Sequence, residues 1–437
     1  MSPIAEDLKV ADKNKINAFL PVRNKGNDFA WDTIAGIVLA DALGKSVGSY
    51  TLAEFQRDCQ EQFGAALEPS SFWDVLERMY FTSDDLFRIS PEFLIFKASD
   101  GADEGGRPND RMAALFHVLL GGATIQTEFQ EELNFLEAEL LAILRKKMRS
   151  GGRTGGTRVA VTEEPYLPYL AEAFRTDIAF LFRHPKYLLE ELTNTLRLYA
   201  FCYCTQLALN VREWRGGAPQ PKPLYFILDT EKASQERASK RYGYDAFRSS
   251  SAYLFPYLSA SEALQGKDAK RPLWRLYEEA RATGEQAGLI ASLNNYAAAF
   301  AENRGLKRPA PADDLDGAFC RVLDLAYEQF MPRTHRHGIN QKYMKELQDE
   351  ICDEFLQFRG RSGLMLVLNQ DRLLLLTNLA IGDRDRLRLY ELLDEFKRRG
   401  VYFDNQSAQA LVAFYERLGN VERMSDSGDA IYVRKTL

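Results

Sequence analysis

Two acidic residues, Asp229 and Glu231, follow the apolar stretch 223–228. An apolar run of this length predicts a buried strand, and acids at the end of a strand with a lysine nearby are typical of metal-dependent nucleases. The lysine here, Lys232, is adjacent to Glu231, so the two side chains would point to opposite faces of a strand. The pattern therefore favours a protein without catalytic residues. The alternative is a metal-dependent nuclease centred on Asp229 and Glu231.

Two further patterns typical of ligand-binding sites are incomplete. His335 and His337 alternate as metal ligands on a strand would, but no further ligand follows them, which favours a polar loop. The string Leu43–Ser46 resembles the end of a phosphate-binding loop, which requires a glycine five residues before Gly44, where Leu39 stands. The residues upstream of it also predict a helix rather than a strand. We therefore expect no metal, nucleotide or other cofactor.

The most cationic short run spans Arg145–Arg158, with six Lys or Arg residues and no acid. Its glycines predict a flexible backbone, and mobile cations bind phosphates with an affinity that depends on salt. A solvated linker is the competing interpretation. The candidate DNA-binding residues of this run are Arg145, Lys146, Lys147, Arg149, Arg153 and Arg158.

A second group of cations precedes two tyrosines. Lys240 and Arg241 come directly before Tyr242 and Tyr244, and such a mixture of positive charge and aromatic rings can hold phosphates and stack on bases. A solvated helix face that ends in aromatic residues explains the same pattern. We retain Lys240 and Arg241 as candidate DNA contacts.

The C-terminal stretch 370–437 shows helical periodicity in three successive segments and then the alternation of a hairpin. Three helices followed by a two-stranded wing form a winged helix, whose third helix enters the major groove of duplex DNA. The same fold also docks onto proteins, because a fold alone does not decide function. The core of this unit is expected to consist of Leu392, Phe396, Leu411, Phe414 and Leu418.

Polar residues of the same stretch could contact DNA at the end of the second helix and the start of the third. The candidates are Lys397, Arg398, Arg399, Gln406, Ser407 and Gln409. Asp383 or Asp385 is expected to cap the second helix. Asp426 and Asp429 at the wing tip would repel phosphate, so docking onto a partner protein is the alternative to DNA binding.

The bulk composition is that of an ordinary globular protein, with 46% hydrophobic and 27% charged residues among 437. The net charge of −6 argues against a protein that coats nucleic acid by global charge, so DNA contacts must come from local patches. Five scattered cysteines favour free thiols in a reducing compartment. Because the sequence shows neither a signal pattern nor an apolar run long enough to span a bilayer, we expect a cytoplasmic protein without membrane association.

Together these patterns predict a mainly α protein with minor β structure, a multi-domain helical protein with a C-terminal winged-helix-like unit. An N-terminal helical domain is expected at 1–148, and a flexible, basic, glycine-rich linker at 149–160. A middle, mostly helical domain with a buried strand is expected at 161–330, and the winged-helix-like domain at 331–437.

Three parts of the sequence together resemble one known family. They are 20–27 near the start, 225–229 with Glu231 and Lys232 in the middle, and 399–404 with 425–430 near the end. Through them the whole chain resembles the DptG family, the DNA phosphorothioation-dependent restriction proteins of bacteria. The resemblance implies a non-catalytic subunit of a complex that attacks DNA lacking phosphorothioate marks. It also implies two kinds of partner, double-stranded DNA and the DptF- and DptH-like subunits. Those subunits carry the ATPase and helicase-like parts.

Overall fold

The computed structural model describes residues 3–66, 71–100, 107–122, 124–125, 129, 132–150, 162–265, 269–424 and 430–437. These residues form many helices and a few short strands, which confirms the predicted mainly α class with minor β structure. They divide into two compact units. The smaller unit consists of 28–158 and 174–197, and the larger unit of 1–27, 159–173 and 198–436. These bounds differ from those of the four expected stretches, because 1–27 and most of the middle stretch group with the C-terminal residues, whereas 174–197 groups with 28–158.

The smaller unit begins with six helices. They are α1 (Trp31–Leu43), α2 (Leu52–Ala66), α3 (Ser71–Tyr80), α4 (Pro91–Asp100), α5 (Arg107–Leu120) and α6 (Phe135–Lys147). Gly36 allows α1 and α4 to approach closely, since a Cβ at this position would overlap the carbonyl oxygen of Leu94 and the Cβ of Ala98. Strands β1 (Lys45–Ser46) and β2 (Arg149–Ser150) pair antiparallel.

The start of α6 is fixed by a capping box. The Asn134 side chain accepts a hydrogen bond from the Glu137 N–H (3.0 Å), and the Glu137 carboxylate accepts one from the Asn134 N–H (2.9 Å). Leu140 and Leu144 are fully buried along one side of the helix. The cap and this apolar stripe together set the position of the basic residues at the C-terminal end of α6.

Most remaining elements belong to the larger unit, and the bounds between the units fall within α7 and α8. The helices are α7 (Pro168–Phe182), α8 (Pro185–Asn210), α9 (Ala238–Arg241), α10 (Tyr244–Ser251), α11 (Leu254–Leu264), α12 (Leu273–Ala282), α13 (Gln286–Arg304), α14 (Leu315–Glu328), α15 (His337–Leu347), α16 (Gln370–Ile381), α17 (Leu389–Arg398) and α18 (Asn405–Leu418). The strands are β3 (Thr162–Glu163), β4 (Tyr225–Leu228), β5 (Ala269–Lys270), β6 (Leu356–Phe358), β7 (Leu364–Leu368), β8 (Arg386–Arg388), β9 (Tyr402–Phe403), β10 (Val421–Met424) and β11 (Ala430–Arg434).

A four-stranded sheet in the order β6-β7-β4-β9 lies in the larger unit. Strand β4 is parallel to both β7 and β9, while β6 is antiparallel to β7. The expected buried strand is confirmed, since Phe226, Ile227 and Leu228 of β4 are buried. Parallel neighbours on both sides explain its unbroken apolar run, because neither face of such a strand meets water.

The C-terminal stretch contains the three expected helices, α16, α17 and α18, and the expected hairpin, β10 and β11. An additional strand, β8, pairs antiparallel with β11 and gives a three-stranded sheet in the order β10-β11-β8. Gly419 ends α18 with a left-handed backbone (φ 74°), as glycine commonly does after a helix. Leu392, Phe396, Leu411 and Phe414 are buried as expected.

Two expectations about the core and the helix caps of this stretch were wrong. Leu418 is 45% exposed rather than part of the core, because it lies on the last turn of α18. Asp383 and Asp385 do not cap α17, since strand β8 separates them from its first residue. At the start of α17 the Glu391 carboxylate instead accepts a hydrogen bond from the Arg388 N–H (2.9 Å).

Candidate nucleic-acid-binding surfaces

The first turn of α18 is committed to contacts within the chain. Asp404 caps the helix by accepting a hydrogen bond from the Ser407 N–H (2.9 Å). The Ser407 hydroxyl is buried, donates to the carbonyl oxygen of Phe226 in β4 (3.2 Å) and accepts from Arg237 (2.7 Å). The expectation that Ser407 meets a base edge or a phosphate is therefore corrected, because its hydroxyl already has two partners inside the protein.

Arg237 connects this helix start to the loop after β4 through a buried charge network. Its Nε and Nη2 donate to the two carboxylate oxygens of Asp404 (2.9 and 2.7 Å), and its Nη1 donates to Glu231 (2.9 Å). The side chains of Arg237, Glu231 and Asp404 are only 8%, 5% and 15% exposed. Burial alone would raise the pKa of Asp404, but the hydrogen bonds from Arg237 and the Ser407 N–H outweigh it and lower that pKa below its ordinary value.

The opposite side of α18 carries an exposed stripe. Gln406, Gln409, Ala413 and Arg417 are all exposed, and their spacing of three or four residues aligns them along one side of the helix. Arg417 makes no ion pair with any described residue. Of the three candidates at the start of the third helix, Gln406 and Gln409 are thus accessible and Ser407 is not.

The three cations at the end of α17 each lie beside an acid. Lys397 donates to Asp394 (2.7 Å), and Arg398 lies 3.5 Å from Glu395. Arg399 was expected to be exposed but is 3% exposed, because it turns back onto α17 and donates to Glu395 (3.1 Å). Lys397 and Arg398 therefore remain accessible candidates, while Arg399 supports the helix end.

Lys240 and Arg241 lie at the end of the short helix α9. The Lys240 ammonium group is 3.0 Å from the Asp245 carboxylate, and the Arg241 guanidinium stacks over the Tyr242 ring at 5.2 Å. Tyr242 is 46% exposed. Arg241 and Tyr242 thus form an accessible cation–aromatic pair, whereas the charge of Lys240 is partly balanced by its neighbour.

The basic run starts at the C-terminal end of α6, where two of its cations pair with acids. Arg145 donates from Nε and Nη2 to one oxygen of Glu92 (3.0 and 2.7 Å). Lys147 lies 2.8 Å from the Asp58 carboxylate. Positive side chains are favourable at a helix C-terminus, so Arg145 and Lys147 have a structural role whether or not they contact DNA.

The remaining candidates of this run differ in their surroundings. Lys146 donates to the Gln62 side chain (3.2 Å). Arg149 is exposed and forms part of β2, so the expected flexible linker begins with an ordered strand. Arg153 and Arg158, together with the rest of that linker, lie outside the described residues.

Of the two acids proposed for the alternative nuclease, Glu231 is held through its carboxylate and Asp229 through its backbone. One oxygen of Glu231 accepts from the Leu228 N–H (2.7 Å), and the other accepts from Arg237. Asp229 continues the ladder beyond β4, because its N–H donates to the carbonyl oxygen of Leu368 (3.1 Å). Throughout the described ranges, no group of three or more His, Cys, Asp or Glu side chains is arranged to hold a metal ion.

The string that resembles a phosphate-binding loop follows a helix instead of preceding one. Gly44 is the left-handed residue that ends α1 (φ 59°), and its N–H donates to the carbonyl oxygens of Ala40 and Asp41. The expected upstream helix is confirmed. Lys45 and Ser46 then enter β1, so they lie near helix carbonyl groups rather than the N–H groups that cradle phosphate in such loops.

The network around Arg237 was not anticipated from the sequence. Arg237 belongs to a stretch rich in cations and small polar residues, which predicts a solvated helix face. Its partner Asp404 lies 167 positions later in the chain. The one local signal was that Asp404, Asn405 or Ser407 could cap the third helix, which does not indicate which cation neutralises the Asp404 carboxylate.

The chain was compared with models of known protein families and with curated proteins, and neither comparison found a match. The resemblance to the DptG family therefore stays a prediction. None of the helices in the described part of the chain is both long and apolar enough to cross a membrane.

Proposed function

We propose that this chain is a non-catalytic subunit of a bacterial phosphorothioation-dependent DNA restriction complex and that residues 370–434 form a winged-helix unit that holds duplex DNA. The partners are DptF- and DptH-like subunits, and the proposed location is the cytoplasm, in keeping with five free cysteines. The resemblance to the DptG family supports the complex and its partners. The geometry of the C-terminal stretch supports the DNA-binding role.

The order of elements supports the winged-helix assignment. A first helix (α16), a strand (β8), a second helix (α17), a third helix (α18) and a hairpin occur in this order, and β8 pairs with the returning strand β11. The short strand β9 between α17 and α18 instead pairs with β4. This arrangement connects the wing to the helices through one small sheet. It leaves α18 in the position of a third, DNA-contacting helix.

The exposed stripe of α18 is the observation that carries the proposal. Gln406 and Gln409 offer amide groups that can pair with adenine edges, and Arg417 offers a guanidinium for guanine or phosphate. The small side chain of Ala413 between them would allow the helix to approach a groove closely. No acid interrupts these four positions, although Glu416 lies beside them and is paired with Arg423.

The test is binding of the purified full chain to duplex DNA, measured by fluorescence anisotropy over a series of salt concentrations. We expect Arg417→Ala to weaken binding and to flatten the slope of log affinity against log salt by roughly 0.9, the value of one lost phosphate contact. Arg308→Ala is the matched control, since Arg308 is also exposed, lies in the larger unit and makes no ion pair with any described residue. An equal effect of both substitutions would contradict the role of α18.

A second experiment separates DNA binding from assembly. The tagged chain is co-expressed with the products of neighbouring genes, and Lys397 and Arg398 are replaced by Glu. Loss of co-purification with unchanged duplex binding would assign the end of α17 to a partner subunit. Metal-dependent cleavage of DNA by the isolated chain, abolished by Asp229→Asn, would overturn the non-catalytic assignment.

A further inference from the structure

A cavity of about 360 Å³ lies in the smaller unit beside the paired strands β1 and β2. Three cationic side chains line it: Lys45 from β1, Arg145 from the last turn of α6 and Arg149 from β2. The pairing of Ser46 with Arg149 fixes the backbones that carry two of them. The capping box at the start of α6 fixes the helix that carries the third.

Glu92 is the single acid among the described residues that line the cavity, and its side chain is 1% exposed. Its carboxylate accepts two hydrogen bonds from Arg145 and one from the Ser90 hydroxyl, while the Lys45 ammonium group lies 4.0 Å away. A buried carboxylate with these partners offsets one positive charge. The three cations therefore leave a surplus of about two positive charges facing the cavity.

We propose that this cavity binds a phosphate monoester through Lys45, Arg145 and Arg149. A monoester carries about −1.5 to −2 charges near pH 7, which matches the surplus, whereas a carboxylate or a phosphodiester carries only one. Arg149 makes no ion pair with any other described residue, so its guanidinium can form paired hydrogen bonds with phosphate oxygens. The proposal does not rest on α18 or on the proposed restriction complex.

The size and lining of the cavity narrow the ligand further. Ligand pockets typically measure about 300–1,000 Å³, so a volume of about 360 Å³ fits one nucleotide better than a dinucleotide. Phe129 and Met148 add an apolar side that can contact a base or a sugar. The same phosphate chemistry has two sources, a free nucleoside monophosphate and the 5′-phosphate end of a DNA strand.

The test uses the full chain and isothermal titration calorimetry with four probes: AMP, adenosine, and one short single-stranded oligonucleotide with either a 5′-phosphate or a 5′-hydroxyl. We expect AMP to bind at least about tenfold more tightly than adenosine, or the 5′-phosphate oligonucleotide to bind at least about tenfold more tightly than the 5′-hydroxyl oligonucleotide. Lys45→Gln and Arg149→Gln should each weaken that binding about tenfold. Arg145 is left unchanged, because its removal would leave the buried Glu92 carboxylate without its main cationic partner and could prevent folding.

Arg88→Gln is the matched control, since Arg88 is an exposed cation of the same unit that pairs with Asp85. It should leave all four affinities unchanged. Stronger binding of AMP supports a nucleotide site, and stronger binding of the phosphorylated strand supports a site for DNA ends. The proposal would be overturned if each phosphorylated probe bound with the same affinity as its unphosphorylated counterpart, or if Arg149→Gln left the affinity for the phosphorylated probe unchanged. A duplex with 5′-hydroxyl ends tests the α18 surface separately, so the two proposals can fail independently.

Discussion

Arg237 makes five hydrogen bonds and is therefore the side chain whose removal should most disturb the position of α18. It donates twice to Asp404 (2.9 and 2.7 Å), once to Glu231 (2.9 Å), once to the Ser407 hydroxyl (2.7 Å) and once to the Lys232 carbonyl oxygen (3.3 Å). Substitution by Met keeps an unbranched stem, which is shorter than the arginine side chain, and removes every donor. Both carboxylates then remain largely buried without their cation.

The magnitude follows from this geometry. Removal of one partner from a buried ion pair costs about 3–5 kcal/mol, because the remaining charge is left uncompensated. Asp404 keeps only the backbone donors at the start of α18, and Glu231 keeps the Leu228 N–H. We therefore expect Arg237→Met to lower the free energy of unfolding of the larger unit by about 3–5 kcal/mol.

Denaturation by urea, followed through tryptophan fluorescence, measures this free energy. Trp214 and Trp274 are buried in the larger unit and report its unfolding once Trp31 and Trp73 of the smaller unit are replaced by Phe in every variant. Arg398→Met is the matched control, since Arg398 also lies between two acids but is 51% exposed. Exposed pairs contribute about 0–1 kcal/mol, so this variant should stay close to the unsubstituted protein.

Double substitution distinguishes loss of a charge network from simple loss of packing. In the Arg237→Met background, Asp404→Asn should cost less than it does alone, because the carboxylate it removes is already unpaired. Independent sites add within about 0.3–0.5 kcal/mol. Additive effects, or a loss below about 1 kcal/mol for Arg237→Met, would refute the interpretation of Arg237 as the centre of this network.

Two further predictions concern close packing and pH. Gly36→Ala should destabilise the smaller unit by roughly 1–3 kcal/mol, because the new methyl group would overlap the Leu94 carbonyl group. Gly64→Ala in α2 has open space around it and should stabilise the same unit by roughly 0.5–1 kcal/mol. Thermal denaturation measures both effects. Because the pKa of Asp404 is lowered in the folded state, its contribution to stability is complete above the unfolded pKa of about 3.9 and is lost as pH falls through the lower folded value. Urea midpoints between neutral and acidic pH should therefore fall less steeply in Asp404→Asn than in the unsubstituted protein.

Local patterns in the sequence were sufficient to predict several elements. The apolar run of β4, the helical periodicity of α16, α17 and α18, and the alternation in the final hairpin all appear in the structure. Each depends on neighbours within one or two turns of helix or one hairpin. The end of α18 at Gly419 is likewise a local feature, because the end of a helix depends on a few adjacent residues.

Features that depend on distant partners could not be predicted in the same way. Strand β8 is an Arg-Leu-Arg sequence too short to show alternation, and it becomes a strand only by pairing with β11. Burial of Ser407 likewise depends on Phe226, which lies 181 positions earlier. Arg399 was expected to be exposed with Lys397 and Arg398 because all three lie at a helix end, although its own side chain folds back onto α17.

The two sides of α18 restrict how this helix could contact DNA. Ser407 and Asp404 are fixed to Arg237 and β4, so turning this side outward would break a network with an expected loss of about 3–5 kcal/mol. Gln406, Gln409 and Arg417 are already exposed and need no such rearrangement. Binding through this stripe should therefore proceed without a slow conformational step, and its association rate should depend on salt rather than on the stability of the Arg237 network.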